Sequence, residues 1–348
     1  MGSAGIEGRR RPDAITRWAP RAAGAALAAA VALAIGALPV GAAGPTCLGK
    51  AATITLGDED DSIVGTPGDD VIVAGGGNDS VFGEGGSDTV CGGQGRDLLS
   101  GGEGDDVLLG QKGRDTLRGS SGSDFLYGDR ASTGGSVQGG DDDLVAGGGG
   151  NDFLYGDSSA EDGVGRGSGD DRLRGGAGGD LLVGDSAASG GGEFAAAGGG
   201  DDDLEGGPGP DLLIGDSSGS GVEASGGGDD ELDGGSGGDY VIGDSNSSGA
   251  HAVGGGDDEL LGGDDKDALF GDSRALGGTA SGGGRDRLRA GPDDDALDGG
   301  PRYDRCNGGG GSDSAKRCEV LRRIESASKL RVHARSERAT SFKAPRGG

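Results

Sequence analysis

The sequence predicts an all-β solenoid, and three observations lead to this fold class. From Gly65 to Tyr127 the chain divides without gaps into seven units of nine residues, and nine-residue repeats are typical of β-helical solenoids. An aliphatic residue recurs at the eighth position of every unit, whereas Gly supplies 87 of the 348 residues and aromatic residues only 3%. Such a chain cannot build a conventional core of large side chains, so we expect a thin core repeated along the array.

The N-terminus predicts a signal peptide over residues 1–43. Basic residues from Arg9 to Arg21 precede an Ala-rich apolar stretch from Ala22 to Val40, and small residues suited to cleavage end at Ala43. This order is typical of export by the general secretory route, and it predicts a secreted, extracellular protein. A membrane anchor is the alternative, because the stretch approaches the ~20 residues that span a bilayer. Pro39 interrupts the stretch and favours cleavage, which would leave no stable membrane span.

Four cysteines, Cys47, Cys91, Cys306 and Cys318, fit an oxidising destination. Two lie near the start of the repeats and two at their end, so pairing of Cys47 with Cys91 and of Cys306 with Cys318 would staple both ends. Four cysteines allow three connectivities, and the sequence leaves them open. A zinc site is disfavoured, because no CxxC pair occurs and the chain has only two histidines.

The spacing divides the rest of the chain into further segments. Residues 44–64 form an N-terminal cap, and residues 65–127 hold seven contiguous nonapeptides with Gly at the fourth position and Asp at the sixth. Residues 128–298 form six units of 28 to 31 residues, each an insert that begins Gly-Asp and is followed by two nonapeptides. Residues 299–318 are degenerate repeats with a Cys pair. Residues 319–348 predict a short helix, from apolar residues at helical spacing, and a basic tail.

The units resemble the RTX, or hemolysin-type, calcium-binding repeat GGxGxDxUx of secreted bacterial proteins. The resemblance covers roughly residues 56–316. It implies a parallel β-roll, in which six residues form a calcium-binding turn, three form a short strand, and two nonapeptides complete one coil. The sequence departs from the pattern at Asp265 and Asp293, which replace the fourth Gly, and at Cys306 and Ala315, which replace aliphatic residues. Calcium sites are least expected in these units.

The sixth-position aspartates are the predicted calcium ligands. Calcium takes about six to eight oxygen ligands, so one Asp per turn must be supplemented by backbone carbonyls and by ligands shared between stacked turns. Glycine keeps those turns free of Cβ atoms. The predicted metal-binding residues are Asp70, Asp79, Asp88, Asp97, Asp106, Asp115, Asp124, Asp142, Asp152, Asp171, Asp180, Asp202, Asp211, Asp230, Asp239, Asp258, Asp267, Asp286 and Asp295. Multiple Ca²⁺ ions are the predicted cofactor, and no catalytic residue is predicted.

The six inserts are expected on one edge of the solenoid, because each enlarges a turn before every second strand. We expect Gly-Asp-rich loops there. Such a row is either a binding face or a solvated decoration that loops tolerate, and the sequence leaves both interpretations open.

The charge balance, 60 acidic against 31 basic residues with a net charge of −29, excludes nucleic acid as a partner and favours cations. We therefore expect a secreted structural or adhesive protein that folds on binding calcium, since a chain so charged and so poor in apolar residues stays disordered otherwise. The alternative is a secreted hydrolase or toxin-like enzyme that uses the repeats for calcium-dependent folding. Against catalysis, the GxSxG match at Gly215–Gly219 only begins one insert among six. The sequence identifies no protein or surface partner.

Overall fold

The computed structural model describes residues 44–132, 136–161, 163–189, 195–220, 223–249, 251–276, 278–324 and 326–327. The predicted signal peptide and most of the predicted basic tail lie outside these residues. Within them the chain forms strands and contains no helix, so no helix of this part is long and apolar enough to cross a membrane.

The described residues form a parallel β-roll, which confirms the predicted fold class. Each coil adds one strand to sheet 1, which has 13 strands, and one to sheet 2, which has 12. In the first coils equivalent residues are 18 apart, as where Val71 pairs with Thr89. In the middle coils they are 28 apart, as where Thr116 pairs with Leu144, or 31 apart, as where Arg172 pairs with Asp203.

The strands are numbered in chain order and described by sheet. Sheet 1 contains β3 (Ile54–Thr55), β5 (Val71–Gly76), β7 (Thr89–Gln94), β9 (Val107–Lys112), β11 (Phe125–Tyr127), β15 (Phe153–Tyr155), β19 (Leu181–Val183), β23 (Leu212–Ile214), β27 (Tyr240–Ile242), β31 (Ala268–Phe270), β35 (Ala296–Asp298), β37 (Ser314–Lys316) and β39 (Ser326–Ala327). Sheet 2 contains β4 (Ser62–Val64), β6 (Ser80–Gly85), β8 (Leu98–Glu103), β10 (Thr116–Ser121), β14 (Leu144–Gly149), β18 (Arg172–Ala177), β22 (Asp203–Pro208), β26 (Glu231–Ser236), β30 (Glu259–Asp264), β34 (Arg287–Gly291), β36 (Arg305–Gly309) and β38 (Val320–Arg322).

Two shorter parallel sheets and a hairpin complete the described structure. Sheet 3 contains β12 (Ala131–Ser132), β16 (Ser159–Glu161), β20 (Ala187–Ser189), β24 (Ser218–Ser220), β28 (Asn246–Ser247) and β32 (Arg274–Ala275). Sheet 4 contains β13 (Val137–Gln138), β17 (Gly165–Arg166), β21 (Ala195–Ala197), β25 (Glu223–Ser225), β29 (His251–Gly254) and β33 (Thr279–Gly282). Strands β1 (Thr46–Cys47) and β2 (Lys50–Ala51) form an antiparallel hairpin.

A narrow apolar core lies between sheets 1 and 2. The eighth residue of each nonapeptide points inward, because side chains alternate between the two faces of a strand. Leu99, Leu117 and Leu126 are completely buried in it. Equivalent residues stack directly on one another, as Leu99 pairs with Leu117 across sheet 2. Each buried aliphatic side chain contributes about 1.5–3 kcal/mol, so two per coil form a continuous but thin core.

A second apolar column, which the sequence did not predict, lies on the face of sheet 1 that points away from this core. The seventh and ninth residues of the sheet 1 units form it, because they alternate with the inward eighth residue. The rings of Phe125 and Phe153 stack with centroids 4.7 Å apart, and those of Tyr127 and Tyr155 stack at 5.2 Å. Ala187 of β20 belongs to the same cluster, so sheet 3 contacts this face.

The inserts form sheets 3 and 4 rather than the expected loops. Each insert follows a strand of sheet 1 and precedes a strand of sheet 2, so the inserts do lie together along one edge. Small side chains are buried within them, namely Ala160, Ala188, Ala196, Ala224 and Ala252. The physical reason is stacking: each insert offers backbone N–H and C=O partners to its neighbours, which an isolated loop would lack.

Both predicted disulfides are present. Cys47 of the hairpin bonds to Cys91 of β7, with Cα atoms 5.7 Å apart. Cys306 of β36 bonds to Cys318, with Cα atoms 6.0 Å apart. They tie the first and last coils of the roll, where stacking partners exist on one side only.

The predicted C-terminal helix is wrong for the residues described. Residues Val320–Arg322 extend sheet 2 by pairing with β36, and Ser326–Ala327 extend sheet 1 by pairing with β37. The last coil presents a row of unpaired backbone groups. A strand satisfies those groups, whereas a helix would satisfy only its own, so the edge overrides the helical spacing of the apolar residues.

Candidate metal centres

The sixth-position aspartates form two continuous ladders, one along each edge of the roll. Each Asp immediately precedes a strand, and its backbone N–H donates to Oδ1 of the Asp one coil later. The distance is 2.8 Å from Asp88 to Asp106 and 2.7 Å from Asp97 to Asp115. Ladder 1 precedes sheet 1 and contains Asp70, Asp88, Asp106, Asp124, Asp152, Asp180, Asp211, Asp239, Asp267, Asp295 and Asp313. Ladder 2 precedes sheet 2 and contains Asp61, Asp79, Asp97, Asp115, Asp143, Asp171, Asp202, Asp230, Asp258, Asp286 and Asp304.

Along most of each ladder the second carboxylate oxygen has no hydrogen-bond partner among the described residues. From Asp79 to Asp304, Oδ2 of each ladder residue is buried and makes no hydrogen bond with the described residues. A buried polar atom without a partner is costly, and native proteins contain few of them. A regular row of such oxygens, all of the same atom type, therefore fits a row of cationic partners.

Most of the orphan oxygens lie close to both a glycine and a backbone carbonyl of the next coil. A Cβ added to Gly92 would lie 2.5 Å from Oδ2 of Asp97 and 2.8 Å from the carbonyl oxygen of Gly110, one coil further on. On the other edge, a Cβ added to Gly206 would lie 2.6 Å from Oδ2 of Asp211 and 2.7 Å from the carbonyl oxygen of Gly234. Carboxylate and carbonyl oxygens from two coils therefore converge on a space that glycine leaves open at these positions.

The residues fit calcium shared between coils. No three His, Cys, Asp or Glu side chains of the described residues lie together as a compact metal site. The structure instead supplies carboxylate and main-chain oxygens, and Ca²⁺ uses about six to eight such ligands in flexible geometry. When bound, Ca²⁺ neutralises the ladder carboxylates and links consecutive turns.

Burial makes the ladders unfavourable as free carboxylates. Loss of solvent raises the pKa of Asp106 to about 6 and that of Asp115 to about 8, and the neighbouring ladder carboxylate adds repulsion in both cases. At neutral pH a group such as Asp115 therefore holds a proton unless a cation replaces it.

The structure brings 18 of the 19 predicted ligands into the ladders, and the exception is Asp142. Its side chain is exposed and pairs with Arg114, whereas Asp143 is buried and accepts the N–H of Asp115. The sixth position lies two residues before the inward aliphatic residue, here Val145, so the register belongs to Asp143.

Sequence reasoning also missed ladder residues in the degenerate units. Asp304 and Asp313 are fully buried although Cys306 and Ala315 follow them in place of aliphatic residues. The Asp at the sixth position was the signal that could have found them. Asp265, which replaces a fourth glycine, adopts the left-handed φ of 78° that the glycine would have, so the ladder continues there.

A third column of aspartates was missed altogether. The Asp of each insert's opening Gly-Asp is buried, and these residues are Asp129, Asp157, Asp185, Asp216, Asp244 and Asp272. Five of them are followed by a buried Ser, namely Ser158, Ser186, Ser217, Ser245 and Ser273. The regular recurrence of Gly-Asp was visible in the sequence, but it served only to measure the spacing.

The family model described as RTX calcium-binding nonapeptide repeat (4 copies) matches the chain at residues 55–90, 64–99, 100–131, 138–161, 167–188, 189–218, 224–247, 252–273 and 281–315. These segments cover more than half of the chain and include members of both ladders. No curated protein matches the chain.

Proposed function

Because the chain belongs to the family of proteins built from RTX calcium-binding nonapeptide repeats, we propose that it is an exported structural or adhesive protein whose roll folds when its turns bind Ca²⁺. Calcium binding is the property of the repeat itself. The dependence of folding on calcium, the export and the structural role are proposed for this chain.

The observation that carries the proposal is the row of orphan oxygens. The ladders place one buried Oδ2 per turn beside a glycine carbonyl of the next coil, as at Asp97 and Gly110. Carboxylates one coil apart repel each other in a site that has lost its water, and that repulsion grows with every coil stacked. The thin aliphatic core offers little to oppose it, so the ligand-binding free energy becomes folding free energy.

A calcium titration of the chain without residues 1–43 tests this dependence. We expect circular dichroism to show a steep gain of β signal with CaCl₂. MgCl₂ should give far less, because Mg²⁺ demands near-octahedral geometry and loses its water reluctantly. KCl at equal ionic strength controls for simple screening of the −29 charge. Equal β signal in excess chelator and in millimolar Ca²⁺ would overturn the proposal.

Export is supported by the disulfides at both ends of the roll, since such bonds persist in oxidising compartments. N-terminal sequencing of protein recovered from the culture medium tests it. A mature chain that starts near residue 44 is expected, and recovery only from the cytosol would contradict export.

A structural or adhesive role is supported by the continuity of the roll. From β3 to β39 successive coils contribute strands to the same stacked sheets. Calcium-dependent retention of the purified protein on cells or extracellular matrix is the expected result. Hydrolytic turnover in a substrate panel, lost when calcium is chelated, would favour the enzyme alternative instead.

A further inference from the structure

The Gly-Asp-Ser segments at the start of the inserts stack into a column of buried polar side chains, which is typical of a binding site rather than of a surface turn. Asp216 and Asp244 are fully buried, as are Ser217 and Ser245 that follow them. Each nonapeptide turn contributes one buried carboxylate. In this region the Asp of each insert adds a second buried carboxylate at the edge of ladder 2. The column therefore concentrates negative charge beside ladder 2.

One carboxylate oxygen of each column Asp is held by the backbone. Oδ1 of Asp244 accepts the N–H of Gly256 at 2.9 Å, and Oδ1 of Asp272 accepts the N–H of Gly284 at 2.9 Å. These glycines lie two residues before the ladder 2 aspartates. The other oxygen, Oδ2 in Asp216, Asp244 and Asp272, is buried without a hydrogen-bond partner among the described residues.

The serine hydroxyls are a second, independent set of unsatisfied groups. Oγ of Ser158, Ser186, Ser217, Ser245 and Ser273 is buried and makes no hydrogen bond within the described part of the chain. A hydroxyl rotates freely to find a partner, so five unpaired hydroxyls in equivalent positions point to a ligand. A buried Ser of this kind would otherwise be replaced by Ala at no loss.

The hydroxyl of one coil and the carboxylate of the preceding coil face the same space. A Cβ added to Gly254 would lie 2.6 Å from Oγ of Ser273 and 2.5 Å from Cβ of Asp244. The carbonyl oxygen of Gly226 also borders this space. The Ser273 hydroxyl, the Gly226 carbonyl oxygen and the side chain of Asp244 thus meet from three different coils.

Neighbouring carboxyl groups of the column also approach one another. The side chain of Asp244 lies within hydrogen-bonding reach of that of Asp216, which in turn reaches Asp185. Ionised carboxylates have no proton to donate and repel each other. Two of them therefore remain within hydrogen-bonding reach only if a cation or a shared proton lies between them.

We propose that the Gly-Asp-Ser column binds a second row of Ca²⁺ ions, separate from the row in the nonapeptide turns, with the Asp of one insert and the Ser of the next as ligands. Hard oxygen donors of this mixed kind suit calcium. The inference rests on the proposed function for the identity of the ion only; the site itself rests on the inserts.

The test compares two triple variants with the same change of charge. Asp216→Asn, Asp244→Asn and Asp272→Asn alter the column. The matched control replaces Asp201, Asp229 and Asp257, which lie in the neighbouring turns, are exposed, and accept backbone N–H bonds that Asn also accepts. Bound calcium is counted by equilibrium dialysis and elemental analysis at saturating Ca²⁺.

We expect the column variant to lose one bound ion for each substituted coil, and the control to keep the wild-type number. Equal stoichiometry in all three proteins would overturn the proposal. So would equal losses in both variants, because the column would then hold nothing that the exposed carboxylates do not. A wild-type chain that binds no calcium at all would instead overturn the proposed function.

Two measurements decide the question if the column variant does not fold. The variant Ser217→Ala, Ser245→Ala retains every charge, and we expect at least a tenfold weaker affinity for the ions that the column holds. Anomalous scattering from crystals of the wild-type protein grown in CaCl₂ should show peaks between consecutive inserts. Peaks in the nonapeptide turns with none in the column would refute the second row and leave the first intact.

Discussion

Replacing Gly92 with Ala should remove one calcium site, whereas the same change at Gly85 should not. A Cβ at Gly92 would lie 2.5 Å from Oδ2 of Asp97 and 2.8 Å from the Gly110 carbonyl, inside the space on which these oxygens converge. At Gly85 the nearest atom, the carbonyl oxygen of Glu103, would be 3.7 Å away. Both glycines lie in strands of six residues and neither has a left-handed φ, so the backbone accepts Ala at both.

The size of the effect follows from linkage. At a free Ca²⁺ concentration of about 100 times the dissociation constant, one site stabilises the folded state by about 2.7 kcal/mol. Gly85→Ala should stabilise the chain by roughly 0.4–1 kcal/mol, because Ala restricts the unfolded state. Gly92→Ala gains the same unfolded-state contribution, so that contribution cancels and the two variants should differ by about 2.7 kcal/mol, which corresponds to a factor of about 100 in an equilibrium constant.

Hydrogen exchange measured by mass spectrometry suits a repeat protein, because coils open locally. Amides of β7 and β9 should exchange about 100-fold faster in Gly92→Ala than in Gly85→Ala under these conditions. The gap should widen roughly tenfold for each tenfold rise in free Ca²⁺, since one site fewer responds. A gap that does not change with calcium would show that Gly92 only avoids a steric clash, and would refute this reasoning.

Three further predictions address the register, the charge and the first disulfide. Asp143→Asn should weaken calcium binding and destabilise the roll, whereas Asp142→Asn should leave calorimetric calcium titrations unchanged; equal effects would place the ladder elsewhere. In excess chelator, acidification from pH 8 to pH 5 should increase the β signal in circular dichroism. The reason is that burial raises the pKa of ladder carboxyls such as Asp115 to about 8, so their contribution to stability is present at low pH and is lost as pH rises through that value; a loss of signal on acidification would contradict this. Replacing Cys47 and Cys91 by Ser opens a link between residues 44 apart and should cost about 4 kcal/mol, seen as a lower melting temperature in calcium. An unchanged melting temperature would show that the hairpin does not restrain the first coils.

The sequence by itself determined the repeat, the fold class and most of the ladder residues. The reason is that these depend on position within a nine-residue unit: an Asp two residues before an inward aliphatic residue has the same surroundings in every coil. Eighteen of the predicted ligands, Asp124 and Asp239 among them, needed no knowledge of the neighbouring coils. Where the nine-residue register was counted one residue too early, as at Asp142, the predicted residue lies outside the ladder.

Only the tertiary structure decided what happens to segments whose surroundings come from other coils. The inserts became two sheets because copies 28 residues apart satisfy each other's backbone, as where Ala131 pairs with Ser159. Residues Val320–Arg322 became a strand because the last coil left an open edge. Asp244 and Ser273 belong to different inserts, and stacking alone places them at one space. The repeat period and the register are set within each nine-residue unit, whereas the burial of side chains and the unsatisfied oxygens arise only when coils stack on one another.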